Sequence, residues 1–486
     1  MSMDERYDLV ILGSGSTAFA AALHAAELGK TAVMIEYRTV GGTCANRGCL
    51  PSKNLIEAAR LVYDAAHPRY PGLSPVCIPV NWTDLIAQKD ALIQDYRFQR
   101  YERLLAESEH IHLISGQATF VSDHEIAVKG AEGVQHLMGE HILIATGSLP
   151  ILPAVAGLAE VPYLTSDLLS DASDPWETEL RDQPRSLLIL GGGYVALELG
   201  QIFARLGTQV TLITQGRTLL SGCEPEIVVP LTKIVREEGV EILTSAQVHG
   251  VERVAEGILL SVQRQGQTQT FAADKLLVAT GRWPNTRGLG LEQADVIVDA
   301  TGAVRVDRTL RTSVPHIWAA GDVIGQAIGN QMATPVGAHD GTLVAHNALS
   351  GEPLREVDHH VIPRVIFTDP QVAMVGLAEK AARTLGIACA CRTLPLNVVP
   401  RAGAIRDPRG VIKMVLDRES RRAIGVSMLG TQAGEVIHEA AMAMRFSATA
   451  DDFIDLVHAY PTMTEALRLV ALSFTKEVSQ LSCCAG

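Results

Sequence analysis

The sequence has no apolar run approaching the ~18 residues that cross a bilayer as a helix, so it offers no candidate membrane span. Aromatic residues are scarce at 5%, and positive charge is outweighed, with 41 Lys and Arg against 54 Asp and Glu for a formal net charge of -13. Such an acidic chain repels phosphate backbones and anionic lipid, so the expected partners are not nucleic acid or membrane surfaces but small ligands. Only eight cysteines occur in 486 residues, too few for a secreted disulfide framework and better suited to catalytic or metal chemistry in a reducing compartment. The opening Met1-Ser2-Met3-Asp4-Glu5-Arg6 is unlike a signal peptide, and the expected location is the cytoplasm. What the chain does have is length and apolar content. At 47% hydrophobic it should fold throughout, and because one core rarely grows beyond about 250 to 300 residues, three or four domains are expected.

Two segments share one grammar. The run Tyr7 to Leu12 reads as a buried strand, followed by the turn Gly13-Ser14-Gly15-Ser16-Thr17-Ala18, an alanine-rich helix to about Leu28, and a second strand, Thr31 to Ile35, that ends in Glu36. Gly13 permits the tight turn, Gly15 lets backbone approach a pyrophosphate at the helix N-terminus, and Ala18 lets the helix pack closely. Glu36 stands where an acid receives a ribose hydroxyl pair. The pattern returns at Ser186 to Leu190, then Gly191-Gly192-Gly193-Tyr194-Val195-Ala196, a helix to Leu206 and a strand over Val210 to Ile213. Here no acid closes the second strand. Arg217 follows instead, a guanidinium suited to a 2'-phosphate, which favours NADPH over NADH. Gly191, Gly193 and Ala196 take the places of Gly13, Gly15 and Ala18. The polar, proline-bearing stretch from Ser170 to Gln183 reads as a surface connection into this second unit.

Between these units lies Gly41-Gly42-Thr43-Cys44-Ala45-Asn46-Arg47-Gly48-Cys49-Leu50-Pro51-Ser52-Lys53. Two cysteines five apart at a helix start can close a disulfide, and a helix N-terminus lowers a thiol's pKa. A metal half-site or two buried thiols remain the alternatives. Zinc would want a second close pair of ligands, for which only Cys389-Ala390-Cys391 and the C-terminal tail qualify.

Taken together, these motifs resemble the class I flavoprotein pyridine nucleotide-disulfide oxidoreductases, over essentially the whole chain. The resemblance implies an α/β fold of the glutathione reductase type. Two Rossmann-like domains, 1–157 for FAD and 158–290 for NAD(P)H, would be joined by a central segment, 291–356, that completes the first. An α+β dimerisation domain, 357–476, and a tail, 477–486, would follow, and a homodimer is implied. By the same resemblance Cys49 is the thiolate under the flavin, Cys44 is the outer interchange thiol, and Lys53 approaches the flavin and pairs with Glu198. Gly41, Thr43, Ala145-Thr146-Gly147 and Gly281 would lie against nucleotide, and Asp322 would bind the ribitol chain. A cation near the flavin stabilises its reduced, anionic form.

Family members that act on organic disulfides carry a His-Pro-Thr run in the last domain, whose imidazole serves the leaving thiol. This chain reads His458-Ala459-Tyr460-Pro461-Thr462, with Glu465 following, and a phenol of unperturbed pKa about 10 cannot shuttle protons near neutrality. Disulfide substrates are therefore disfavoured, Glu465 lacks its usual partner and His458 reads as structural. The chain closes with Cys483-Cys484-Ala485-Gly486, a vicinal thiol pair that can capture and pass on a soft cation. An internal redox pair, Tyr460 and this tail together resemble the mercuric reductases within the family. That resemblance implies mercuric ion arriving as a dithiol complex, taken by Cys483 and Cys484 of one subunit and passed to Cys44 and Cys49 of the other, with Tyr194 and Tyr460 lining the pocket. It also implies delivery by the tail alone, because the chain begins directly at the first nucleotide strand. A large thioredoxin reductase is disfavoured by Tyr460, and a non-catalytic metal scavenger would need neither nucleotide unit. Cys77, Cys223, Cys389 and Cys391 read only as packing or surface residues.

Overall fold

Leu9, Val10, Ile11 and Leu12 are fully buried, as are Ala32, Val33 and Met34 beside them. Apolar residues on both faces of consecutive positions require cover on both faces, which is the condition of a parallel sheet. In the computed structural model, which describes residues 5–171, 180–255 and 257–477, these runs form the centre of the first sheet. Its strand order is Ile111–Ser115, Ala32–Glu36, Glu5–Leu12, Gly133–Ile144, Glu125–Gly130 and Gln117–Phe120, with Ile317–Ala319 parallel to Gly133–Ile144. The strand Ile317–Ala319 returns to this sheet from beyond the second unit. Helix Ser16–Glu27 packs against helix Thr334–Leu349, so the first unit is also completed by distant sequence.

The second unit repeats the parallel arrangement on four strands, Glu241–Leu243, Gln209–Ile213, Ser186–Leu190 and Lys275–Val278. A three-stranded antiparallel sheet, Ala246–Val254, Gly257–Arg264 and Gln267–Ala273, is inserted before the last of them. The third region is a five-stranded antiparallel sheet in the order Arg364–Ile366, Gln371–Gly376, Ala423–Gly430, Val411–Asp417 and Cys389–Pro395. Helices Ala433–Arg445, Ala450–Asp455 and Glu465–Leu472 share its apolar core. The first strand of this sheet starts at Arg364, directly after Pro363, which has no N–H to give to a ladder. Among the described residues no helix is long and apolar enough to cross a membrane.

The surface connection expected from Ser170 to Gln183 is corrected at its start, where Ser170 and Asp171 are buried; at its other described end Leu180 is buried but Arg181 and Asp182 are exposed, as expected. Two buried cations account for the buried start: Lys89 Nζ donates to Leu169 O at 3.0 Å and Ser170 O at 2.9 Å, and Arg97 Nη2 meets Asp171 Oδ2 at 3.2 Å. A buried charge without such partners would be strongly destabilising, so these cations draw the connection inward.

Candidate active site

Each nucleotide unit brings its glycine turn against the carbonyl end of a neighbouring strand. Gly13 has φ +110°, and a Cβ there would sit 2.5 Å from Ala145 O; Gly191, at φ +137°, lies closer still to Ala279 O. Both following helices start at glycines, Gly15 and Gly193, with no side chain capping the free N–H groups. Open space lies beside Gly193, and Ala18 and Ala196 are fully buried against their sheets. An uncapped helix N-terminus with an open approach fits a pyrophosphate. At the end of the first unit's second strand, Glu36 Oε2 accepts from Ser14 Oγ at 2.7 Å and Oε1 from Arg38 N at 2.8 Å. The equivalent strand of the second unit ends at Ile213 and leads to Arg217, which is exposed and makes no ion pair among the described residues.

Opposite the first turn, Thr146 Oγ1 donates to Asn285 O at 2.6 Å, and Gly147 O accepts from Asn285 N. Arg282, which follows Gly281, donates to Ser148 Oγ at 2.8 Å, and Ser148 Oγ donates to Asp322 Oδ2 at 2.6 Å. Asp322 is thereby fixed at the first turn of a short 3-10 helix, Gly321–Ile324. The position suits a polyol hydroxyl.

The redox segment differs from its expectation in one respect. Cys44 and Cys49 do not share a helix: Cys44 sits in a short helix, Gly42–Arg47, and Cys49 opens a longer one, Cys49–Ala66, after a break at Gly48. A side chain at Gly48 would press on Thr43 O at 3.0 Å, and this close turn lets both thiols face each other. Gly42, at φ +68°, sits against the Gly15 backbone, so Gly41 and Thr43 lie beside the first glycine turn. Asn46, fully buried between the two cysteines, donates to Val40 O and Gly42 O and accepts from Arg97 at 2.9 Å, which locks the segment.

The two thiols are electrostatically unlike. A hydrogen bond from Cys44 draws the Cys49 pKa down to about 6 from an ordinary 9.0, assisted by the Lys53 charge and by Thr334, whose Oγ1 is 3.7 Å from Cys49 Sγ. That same hydrogen bond, with burial, pushes Cys44 up. Cys49 is therefore the resting thiolate of the pair. Lys53, one helical turn on, places Nζ 2.7 Å from Glu198 Oε2 and 4.7 Å from the Phe367 ring centre. Glu198, 4% exposed, also accepts from Phe367 N at 2.8 Å. Tyr194 stands half exposed at the start of its helix, within the field of Arg282, Asp322, Glu198 and Cys49, and burial raises its pKa.

The remaining predicted residues lie elsewhere. Tyr460 is half exposed on the loop joining helices Ala450–Asp455 and Glu465–Leu472. Glu465 accepts weakly from Thr462 N at the start of its own helix, and His458 is held by Glu439 at 2.9 Å and by Leu456 O. Cys483 and Cys484 lie outside the described residues. Sequence reasoning missed Thr334, Ser148 and Asn46. Thr334-Pro335 could have been flagged, because proline in a first helical turn marks a helix N-terminus.

The sequence signature described as pyridine nucleotide-disulphide oxidoreductase matches residues 7–349, and that of its dimerisation domain matches residues 362–471. The chain belongs to the pyridine nucleotide-disulphide oxidoreductase family. Among its relatives, a protein named mercuric reductase from Streptomyces lividans is 43% identical over 483 residues, covering 99% of this chain and 98% of that protein. One of the same name from Staphylococcus aureus is 39% identical, covering 99% of this chain and 85% of that protein. The solved flavoprotein disulfide reductase RclA of Escherichia coli, as its Cu(II) complex, superposes with a TM-score of 0.84 at 30% identity, covering 98% of this chain and all of that one. As a member of this family the chain is an FAD-dependent oxidoreductase that uses NADPH, with a dimerisation domain that makes a homodimer.

Proposed function

We propose that the protein reduces thiol-bound mercuric ion to elemental mercury with NADPH. The observation that carries this reading is a thiolate–thiol pair, Cys49 and Cys44, in a chain whose last domain offers Tyr460 where disulfide-reducing members offer an imidazole. The near full-length identity to proteins named mercuric reductase supports it.

FAD on the first unit, when bound, relays two electrons from NADPH on the second. Gly13, Gly15, Glu36 and Asp322 hold the first nucleotide; Gly191, Gly193 and Arg217 hold the second. Cys49 enters the substrate step as thiolate and Cys44 as thiol. Mercuric ion carried by two small thiols exchanges both Hg–S bonds onto these sulfurs, and one carrier leaves as thiol and the other as thiolate, so the Cys44 proton is accounted for. Two electrons then convert Hg(II) to the neutral atom, and both sulfurs are left reduced. Lys53, fixed by Glu198, keeps a positive charge beside the site while negative charge passes through it. Tyr194 and Tyr460 flank the metal, and the partner subunit's Cys483 and Cys484 deliver it. The reducing cytoplasm supplies the carrier thiols.

The test is NADPH oxidation by the purified protein in excess small thiol, with mercuric chloride and separately with glutathione disulfide and oxidised thioredoxin. Mercury-dependent oxidation with volatile mercury leaving solution is expected, and oxidation only with a disulfide would overturn the reading. The double substitution C483A/C484A should leave flavin reduction by NADPH intact and slow turnover of thiol-bound mercury.

A further inference from the structure

Cys389 and Cys391 lie on Cys389–Pro395, the outermost strand of the five-stranded sheet. Side chains two apart on a strand share a face, and both sulfurs belong to one small apolar cluster with Ala382, Val415, Leu377 and Ile424. Cys391 lies within electrostatic reach of Cys389 and of the Glu379 carboxylate. Cys389 is buried and Cys391 is partly open, so the pair has one covered sulfur and one reachable from solvent. Glu379 is itself engaged by Lys413 at 2.8 Å and Arg383 at 2.7 Å, so its carboxylate adds charge near Cys391 but no free ligand oxygen. Two soft donors on one face of a rigid edge strand, one of them open to solvent, are placed to take a cation through sulfur alone.

We infer that Cys389 and Cys391 form a second dithiolate site for a soft, thiophilic cation, on the dimerisation domain and outside the flavin site. Thiolate donors select soft metals, and a two-sulfur chelate outcompetes the separate monothiols that carry such an ion. The exchange is not redox. Two S–H bonds break on the chain, two Hg–S bonds to the chain form, two Hg–S bonds to the carriers break, and the carriers leave with the protons. The site would hold an ion that the redox pair has not taken up, and the assignment stands whatever the flavin site turns over.

The test uses full-length holoenzyme in which Cys44, Cys49, Cys483 and Cys484 are all alanine, exposed to mercuric chloride in excess monothiol without NADPH. One mercury per chain should survive gel filtration and protect Cys389 and Cys391 from alkylation, read by peptide mass spectrometry. Adding Cys391→Ser should release that mercury, whereas adding Cys223→Ser or Cys77→Ser should not. No retained mercury, or retention with Cys389 and Cys391 still freely alkylated, would overturn the assignment. In the otherwise native enzyme, C389A/C391A should leave NADPH-dependent turnover unchanged.

Discussion

The two nucleotide units share one kind of glycine turn and differ at the strand end that faces it. In both, a glycine at positive φ seats its turn on a neighbouring strand's carbonyl, Ala145 O or Ala279 O, and in both the next helix begins uncapped. At the end of the second strand they part. The first fixes Glu36 with Ser14 and the Arg38 backbone, while the second leads to Arg217, exposed and without an ion pair among the described residues. The turn suits a pyrophosphate in either unit and says nothing about which nucleotide enters; in the proposed reading the strand end makes that choice, by offering an acceptor to hydroxyls or a cation to a phosphate.

The strongest way to break this parallel is to fill the turns. Gly13→Ala should yield protein without flavin, read as loss of the visible flavin absorbance, because both the positive φ and the Ala145 contact forbid a side chain. Gly191→Ala should keep its flavin and lose NADPH binding. Flavin retained at full occupancy in G13A would mean that the two turns are not equivalent. Next in size is the contact that ties the units together. Glu198→Gln keeps an oxygen for the Phe367 N–H but leaves Lys53 without its counter-charge, and with Lys53 32% exposed the screened loss is about 1–2 kcal/mol, seen as a Tm lowered by a few degrees. An unchanged Tm would remove the ion pair from the account of stability.

Arg217→Ala sharpens the comparison at the strand end. It should raise KM for NADPH about tenfold, about 1.4 kcal/mol of lost charge-assisted bonding, with KM for NADH unmoved. Equal effects on both coenzymes would place the guanidinium elsewhere. The smallest effect is a titration. Because the Cys49 pKa is lowered, its thiolate is present above about pH 6 and is lost as pH falls through that value, so alkylation of the reduced enzyme by iodoacetamide should follow a midpoint near 6 rather than 9.0. Lys53→Met should move that midpoint upward, and a midpoint indifferent to Lys53 would leave Cys44 and Thr334 as its cause.

What could be read in the sequence was contiguous. Each glycine turn sits between its own strand and helix, and the cysteine pair spans six residues, so spacing alone exposes them. The Lys53–Glu198 contact was legible only through family resemblance, since 145 residues separate its partners. Thr334, Ser148 and the partners of Lys89 left no comparable mark. Thr334 reaches Cys49 across 285 residues, and the buried Lys89 reads from sequence as one more surface lysine on a helix. Local pattern reports which face of an element is apolar. It does not report which cation will need a carbonyl from another segment, and that need is what pulled the 170–183 connection inward at Ser170 and Asp171.

Glu198 joins a helix of the first unit, through Lys53, to the opening of the third region, through Phe367, while belonging to the second. One carboxylate is thus common property of three regions, and this bears on how such chains can be recombined. A chimera that imports the second unit from a relative must bring an acid at this position and find a lysine and a backbone N–H already at the right places. The natural unit of exchange is therefore this junction, and crossover points drawn at domain boundaries alone would split it.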